Sequence, residues 1–273
     1  MKQLAIASAL AVMLSAFCSV HTTNKGSESA HTISILYTGD LNWTTLPQLA
    51  TLIKHEKPVL TVVDGKITGN LAVRQAYKGQ AEIEALAAAG VNAVCLTPDL
   101  LEFGIGNVRR LMDSVAPGLF FLGANITESA KTAALGQPFI KLTRSAIRLA
   151  LIGLATDSAP YRQQAGIAWQ QPALAAARNL SLARMNSDIV GAVFYPASEL
   201  ALPGLDFMIG SKRFGTGLSS KPADVYCLEL RFDGARRVVG HRTTELSLAE
   251  AEPDSAVQAI VRSHQTRADA NQR

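Results

Sequence analysis

The sequence predicts an α/β protein in which two sheets lie between helical layers, a four-layer αββα sandwich. Three observations predict it. Short apolar runs alternate with helical patterns through the first half, the alternation breaks around residues 139–154, and Asp233-Gly234 marks a closing hairpin. With 48% of its 273 residues hydrophobic, the chain has enough apolar material for a packed core of that size.

The first half reads as strand 33–38, helix 46–55, strand 59–63, helix 71–89 closed by Gly90, strand 91–97, helix 105–115 and strand 119–124. Such a βαβ series implies a parallel sheet with helices packed on it. Residues 139–142 and 148–154 follow with little between them, so they are expected to be antiparallel neighbours. A helix over 172–185 precedes strands 189–195 and 205–209. The hairpin joins strands 225–232 and 238–246. A final amphipathic helix over 255–266 is expected to end in a frayed polar tail.

The N-terminus does not belong to this pattern. Met1-Lys2 precedes an apolar run over 4–17, too short to span a bilayer, and this reads as an export signal over residues 1–18. Residues 19–31 form a polar linker, and 32–273 are expected to be one domain. Ala16 and Cys18 suit small-residue cleavage, whereas Leu14-Ser15-Ala16-Phe17-Cys18 half resembles a lipoprotein box. Phe17 stands where that box wants a small residue. Lipidation of Cys18 and its removal with the signal both stay open, and the expected location is the periplasm. No later run reaches about 18 apolar residues, so any membrane association is expected only through a lipid on Cys18.

Net charge and composition exclude some functions. The charge is +4, the Lys and Arg residues are scattered, and no basic stripe with interleaved aromatics suggests nucleic acid. Cys95 and Cys227 sit in apolar strand-like runs and are expected to be buried thiols. Without a CxxC or a Cys/His cluster, a thiolate zinc site is not expected.

Ligands of open α/β sheets bind beyond the carboxyl ends of the strands. Those ends read Gly39-Asp40-Leu41-Asn42, Asp64-Gly65-Lys66, Pro98-Asp99, Ala124-Asn125, Tyr195-Pro196 and Gly210-Ser211-Lys212-Arg213. The cleft candidates are therefore Asp40, Asn42, Asp64, Asp99, Asn125 and Lys212. Singly, each is also an ordinary turn residue. Trp43 beside them either lines the cleft or packs as a loop aromatic.

Ile33-Ser34-Ile35-Leu36-Tyr37-Thr38-Gly39-Asp40 resembles the opening strand of the 5'-nucleotidase-type (calcineurin-like) metallophosphoesterase family, which continues into Asp-x-His. Residues 82–96, Phe103-Gly104, Gly123-Ala124-Asn125-Ile126, Leu151-Ile152-Gly153-Leu154 and Gly204-Leu205-Asp206 fall in register with it, so the resemblance covers residues 32–250. It implies the αββα sandwich of the metallophosphoesterase type. The departures fall at the ligands. Asp40 matches the first metal-binding Asp, but Asn42 replaces the following His. Asp64 matches the bridging Asp, although counting back from Gly69 puts Gly65 there. Pro98-Asp99 replaces Asn-His, Pro196 falls near a ligand His, and Lys212 and Phe214 occupy the two His positions of the last motif.

A two-metal phosphoesterase needs several carboxylate, amide and imidazole ligands around cations about 3.5–4 Å apart. Asp40 and Asp64 are then vestigial metal ligands, no cofactor is expected, and the alternative is one weakly bound Mg or Mn held by Asp40, Asp64 and Asp99. His21, His31, His55, His241 and His264 all fall away from the motifs. Lys212 offers a cation to replace the metals among the carboxylates. The resemblance also implies a C-terminal nucleotide-recognition domain, and the chain stops soon after the fold closes. The expected function is that of a pseudoenzyme binding an anion or a partner protein. The alternative is a phosphoester hydrolase with a remodelled, metal-poor site.

Overall fold

A computed structural model describes residues 31–39, 41–63, 67–69, 71–114, 118–129, 131, 133–144, 146–155, 166–195, 202–209 and 224–271. The first half contains β1 (His31–Thr38), β2 (Leu41–Asn42), α1 (Leu46–Glu56), β3 (Leu60–Val63), β4 (Ile67–Thr68), α2 (Leu71–Tyr77), α3 (Gln80–Ala89), β5 (Ala93–Cys95), α4 (Pro98–Leu101), α5 (Ile105–Ser114) and β6 (Phe120–Leu122). The second contains β7 (Ile126–Glu128), β8 (Phe139–Arg144), β9 (Ile147–Ala155), β10 (Ile167–Trp169), α6 (Pro172–Arg184), β11 (Ile189–Tyr195), β12 (Phe207–Ile209), β13 (Asp224–Phe232), β14 (Val238–Ser247) and α7 (Ser255–Ala270).

Two main sheets form, with strand orders β14-β13-β1-β3-β5-β6 and β12-β11-β9-β8. In the first, β1, β3, β5 and β6 are parallel, as the βαβ series requires, and the β13–β14 hairpin adds antiparallel to β1. In the second, β9, β11 and β12 are parallel and β8 joins β9 antiparallel, as the short spacing of 139–154 implies.

The period-two alternation of the strands sorts side chains to two faces. Ile35, Tyr37, Val62, Leu228 and Leu230 of the first sheet meet Leu149, Leu151, Val193 and Phe207 of the second in an inter-sheet core. The other face of the first sheet, with Leu36, Val63 and Val94, packs against α1, α3, α5 and α7 through Leu49, Leu86, Leu111 and Val257. Beyond the second sheet, Ala150, Ile152, Val190 and Phe194 pack on Ala175, Ala176 and Ala183 of α6. This is the αββα layering. The sheets approach closely at Gly153, where a Cβ would lie 2.2 Å from the Cβ of Leu122. Cys95 and Cys227 are buried thiols outside any disulfide, and burial pushes the Cys227 thiol up to about 11. No helix among the described residues is long and apolar enough to cross a membrane.

Two expectations are corrected. The helical pattern over 71–89 is two helices, because Lys78 and Gly79 adopt positive φ of 50° and 88° and turn the chain between them. The last helix does not fray at 266. It runs to Ala270 because Ala268 is buried beside Val257 and Val261, and its start is fixed by the Asp254 carboxylate, which accepts from the N–H groups of Ala256 and Val257 at 3.1 Å.

Candidate functional site

The carboxyl ends of both sheets lie on one side of the molecule. At the seam, the side-chain amide of Asn125, just past β6, donates to the carbonyl of Ala155 at the end of β9 at 2.6 Å, and its Oδ1 accepts from the Ala155 N–H at 2.9 Å. It also donates to the carbonyl of Gln170 at 3.2 Å, while the Gln170 N–H donates to its backbone carbonyl. Asn125 is 1% exposed, so these bonds satisfy a polar group that would be costly to bury unpaired. A side chain spent this way joins two sheets and has little left for a ligand.

Asn42 serves a local purpose. It ends β2, which pairs with β4 through Leu41↔Ile67 and Asn42↔Thr68 and so draws together the segments that follow β1 and β3. Its Oδ1 accepts from the N–H and the hydroxyl of Thr44 at 2.9 and 2.8 Å, capping the 3₁₀ turn Trp43–Thr45. The amide also lies flat on Gly69, where a Cβ would sit 2.6 Å from it and where φ is +94°, so glycine is required on two counts.

Asp99 lies in the first turn of α4 and faces α2 and α3 in the helical layer. Its carbonyl accepts from the Arg74 guanidinium, whose Nε donates to Glu102 at 2.9 Å. Asp99, Arg74, Lys78, Glu82 and Phe103 line a cavity of about 10 Å³, the size of a single water. Glu82 is 5% exposed and its Oε2 has no hydrogen-bond partner; burial raises its pKa, against the pull of its own backbone N–H and Arg74. Asp40, Asp64 and Lys212 lie outside the described residues, as do Pro196 and Phe214.

Among the described residues no three His, Cys, Asp or Glu side chains gather as metal ligands. His31 opens β1 at the opposite end from the rim, His55 ends α1 beside Glu56, and His241 lies within β14. His264 bonds Glu84 at 2.9 Å and packs edge-on against Tyr77 and Trp43. The carboxyl of Asp188, held at about 2, is far from this rim. It precedes β11, and its bidentate hydrogen bonding to Arg148, with Arg236 behind, holds it there. Its role is to clamp strands.

Trp43 is 2% exposed and packs in the outer core, yet it also forms part of one wall of a cleft of about 360 Å³. The cleft lies between Trp43 and Pro47 on one side and Gln258, Val261, Arg262 and Gln265 of α7 on the other. The 3.6-residue spacing of those four positions was readable in the sequence, but nothing there said that they face Trp43.

No family model and no curated protein matches the sequence. Solved structures do resemble it. The NAD nucleotidase of Haemophilus influenzae superposes with a TM-score of 0.70 at 13% identity, over 88% of this chain and 61% of that one. A 5'-nucleotidase precursor of Thermus thermophilus gives 0.66 at 13% identity, over 88% and 59%. The sulfate thiohydrolase of the same organism, in complex with glycerol, gives 0.67 at 14% identity, over 82% and 46%. The chain thus spans roughly half to three fifths of these neighbours' length. Its layers, strand order and these likenesses agree: the chain has the fold of the 5'-nucleotidase-type metallophosphoesterases.

Proposed function

We propose that this chain is a non-catalytic member of the phosphoesterase fold, exported to the periplasm, that binds a small anion or a partner at or beside the old cleft. The single observation that carries this is the commitment of the described rim amides. Asn125 makes three side-chain hydrogen bonds across the seam and Asn42 caps a turn, so both side chains are engaged in holding the fold. Pro98-Asp99 stands where the resemblance puts Asn-His, and Pro98 is consumed in starting α4. Lys212 is proposed to neutralise Asp40 and Asp64 in place of metals. The charged start and apolar run of residues 1–17 support export.

The structural neighbours do not point to one substrate. Their names speak of a 5'-nucleotidase, an NAD nucleotidase and a sulfate thiohydrolase, so one fold serves different reactions and the fold alone assigns none to this chain. The test is metal content after purification, joined to hydrolysis of bis-p-nitrophenyl phosphate and of AMP in added Mn²⁺. The expected result is substoichiometric metal and no turnover above buffer. Turnover that Asp40→Ala abolishes would establish the remodelled hydrolase instead.

A further inference from the structure

We propose that the cleft between the turn after β2 and helix α7 binds a small organic anion that carries an apolar body. This rests on reading the domain as a binding protein and gives that reading a site and a ligand class. At about 360 Å³ the cleft falls within the range of small-molecule sites. Its floor is apolar, formed by Trp43, Pro47 and Val261, all buried. Over that floor α7 presents Gln258, Arg262 and Gln265, which its 3.6-residue turn brings onto the face that carries Val261.

The charge of the cleft decides the ligand class. Among the described lining residues Arg262 is the one charged side chain, and no carboxylate lines the space. Of the acids nearby, Asp254 is engaged by Lys54 and the helix N-terminus, Glu84 by His264, and Asp269 by the amide of Gln265. No hydrogen bond or ion pair of the Arg262 guanidinium is made with any described residue, and the same is true of the Gln258 amide. A guanidinium over an apolar floor, beside a free amide, matches a carboxylate or phosphate head on a hydrophobic body.

The site is held in place before any ligand arrives. Val257, Val261 and Ala268 anchor α7 in the outer core, Asp254 caps it, and His264 ties it to α3. Preorganisation of this kind reduces the ordering cost of binding.

The test uses the purified protein in EDTA, titrated with benzoate, phenyl phosphate and the neutral benzyl alcohol, followed by saturation-transfer NMR and by tryptophan emission. The expected result is saturable binding of at least one anion, weaker binding of the alcohol, and a loss of about tenfold or more in affinity in Arg262→Gln at unchanged Tm. Which anion binds more tightly distinguishes a carboxylate from a phosphate ligand. Absence of saturable binding of either anion, or binding indifferent to Arg262→Gln, overturns the proposal. Binding that vanishes in EDTA also overturns it, because the anion would then sit on a metal. Mn²⁺-dependent hydrolysis of phenyl phosphate is a different failure. It would defeat the non-catalytic reading, while EDTA-resistant, Arg262-dependent binding would still stand.

Discussion

The seam between β6 and β9 and the turn after β1 both lie at the carboxyl rim of the sheets, and each carries an asparagine. At the seam, Asn125 is buried and bonds residues 30 and 45 positions away. In the turn, Asn42 is half-buried and, among the described residues, its side chain bonds only a residue two positions on. The first holds the two sheets together and the second shapes a loop. A rim position can therefore carry a polar residue type for purely structural reasons, and residue type alone does not reveal which reason applies.

Substitutions can break or sharpen that contrast. The largest effect is expected at the seam. Asn125→Ala strands the buried N–H and carbonyl of Ala155, and unpaired buried groups cost about 1–3 kcal/mol each, so a loss of about 3 kcal/mol in urea unfolding is predicted. A loss below about 1 kcal/mol would deny Asn125 its joining role. Gly153→Ala tests the same seam by steric means. Its new Cβ would lie 2.2 Å from Leu122, and overpacking of this kind costs about 1–3 kcal/mol, read as a drop in the urea midpoint with the slope unchanged.

Asp188 is a pH-dependent version of the same kind of strand-joining contact, placed at the other end of the strands. Its carboxyl is held at about 2 against an ordinary 3.8, chiefly by hydrogen bonds from Arg148, so the folded state binds fewer protons than the unfolded one between those values. The stability it contributes is complete above about pH 4 and is lost as pH falls towards 2. Asp188→Asn is predicted to flatten the acid limb of a Tm-versus-pH curve in that window, and an unchanged limb would contradict the assignment. The smallest effect is expected in the turn. Asn42→Ala removes a cap and is predicted to cost about 1 kcal/mol or less, with no change in metal response.

Much of the fold was legible in the sequence because long apolar runs with clear punctuation formed where expected: Gly90 closes α3, and Asp233 accepts from the N–H groups of Ala235 and Arg237 to shape the last hairpin. The short strands β2, β4, β7 and β10 were not foreseen, since two or three residues carry no detectable period. The break at Lys78-Gly79 was missed because a glycine inside a helical pattern is a tolerated defect as often as a stop. At the candidate site, the strand-end residues could be read because apolar runs end in Asp, Asn and Gly. Their partners could not. Nothing near Asn125 in the sequence points to Ala155, and nothing in residues 258–265 says that Trp43 lies opposite.

A thermal melt with and without Mn²⁺ asks whether the rim holds metal. A cation that binds only the folded state at about 100 times its Kd stabilises it by about 2.7 kcal/mol. The unmodified protein is predicted to melt at the same temperature in both conditions. Lys212→Ala is predicted to melt lower and to recover part of the loss with Mn²⁺, because the metal would supply the charge that the proposal assigns to the lysine. A rise in the unmodified protein's Tm with Mn²⁺, abolished by Asp40→Ala, would contradict the account and identify a working metal site.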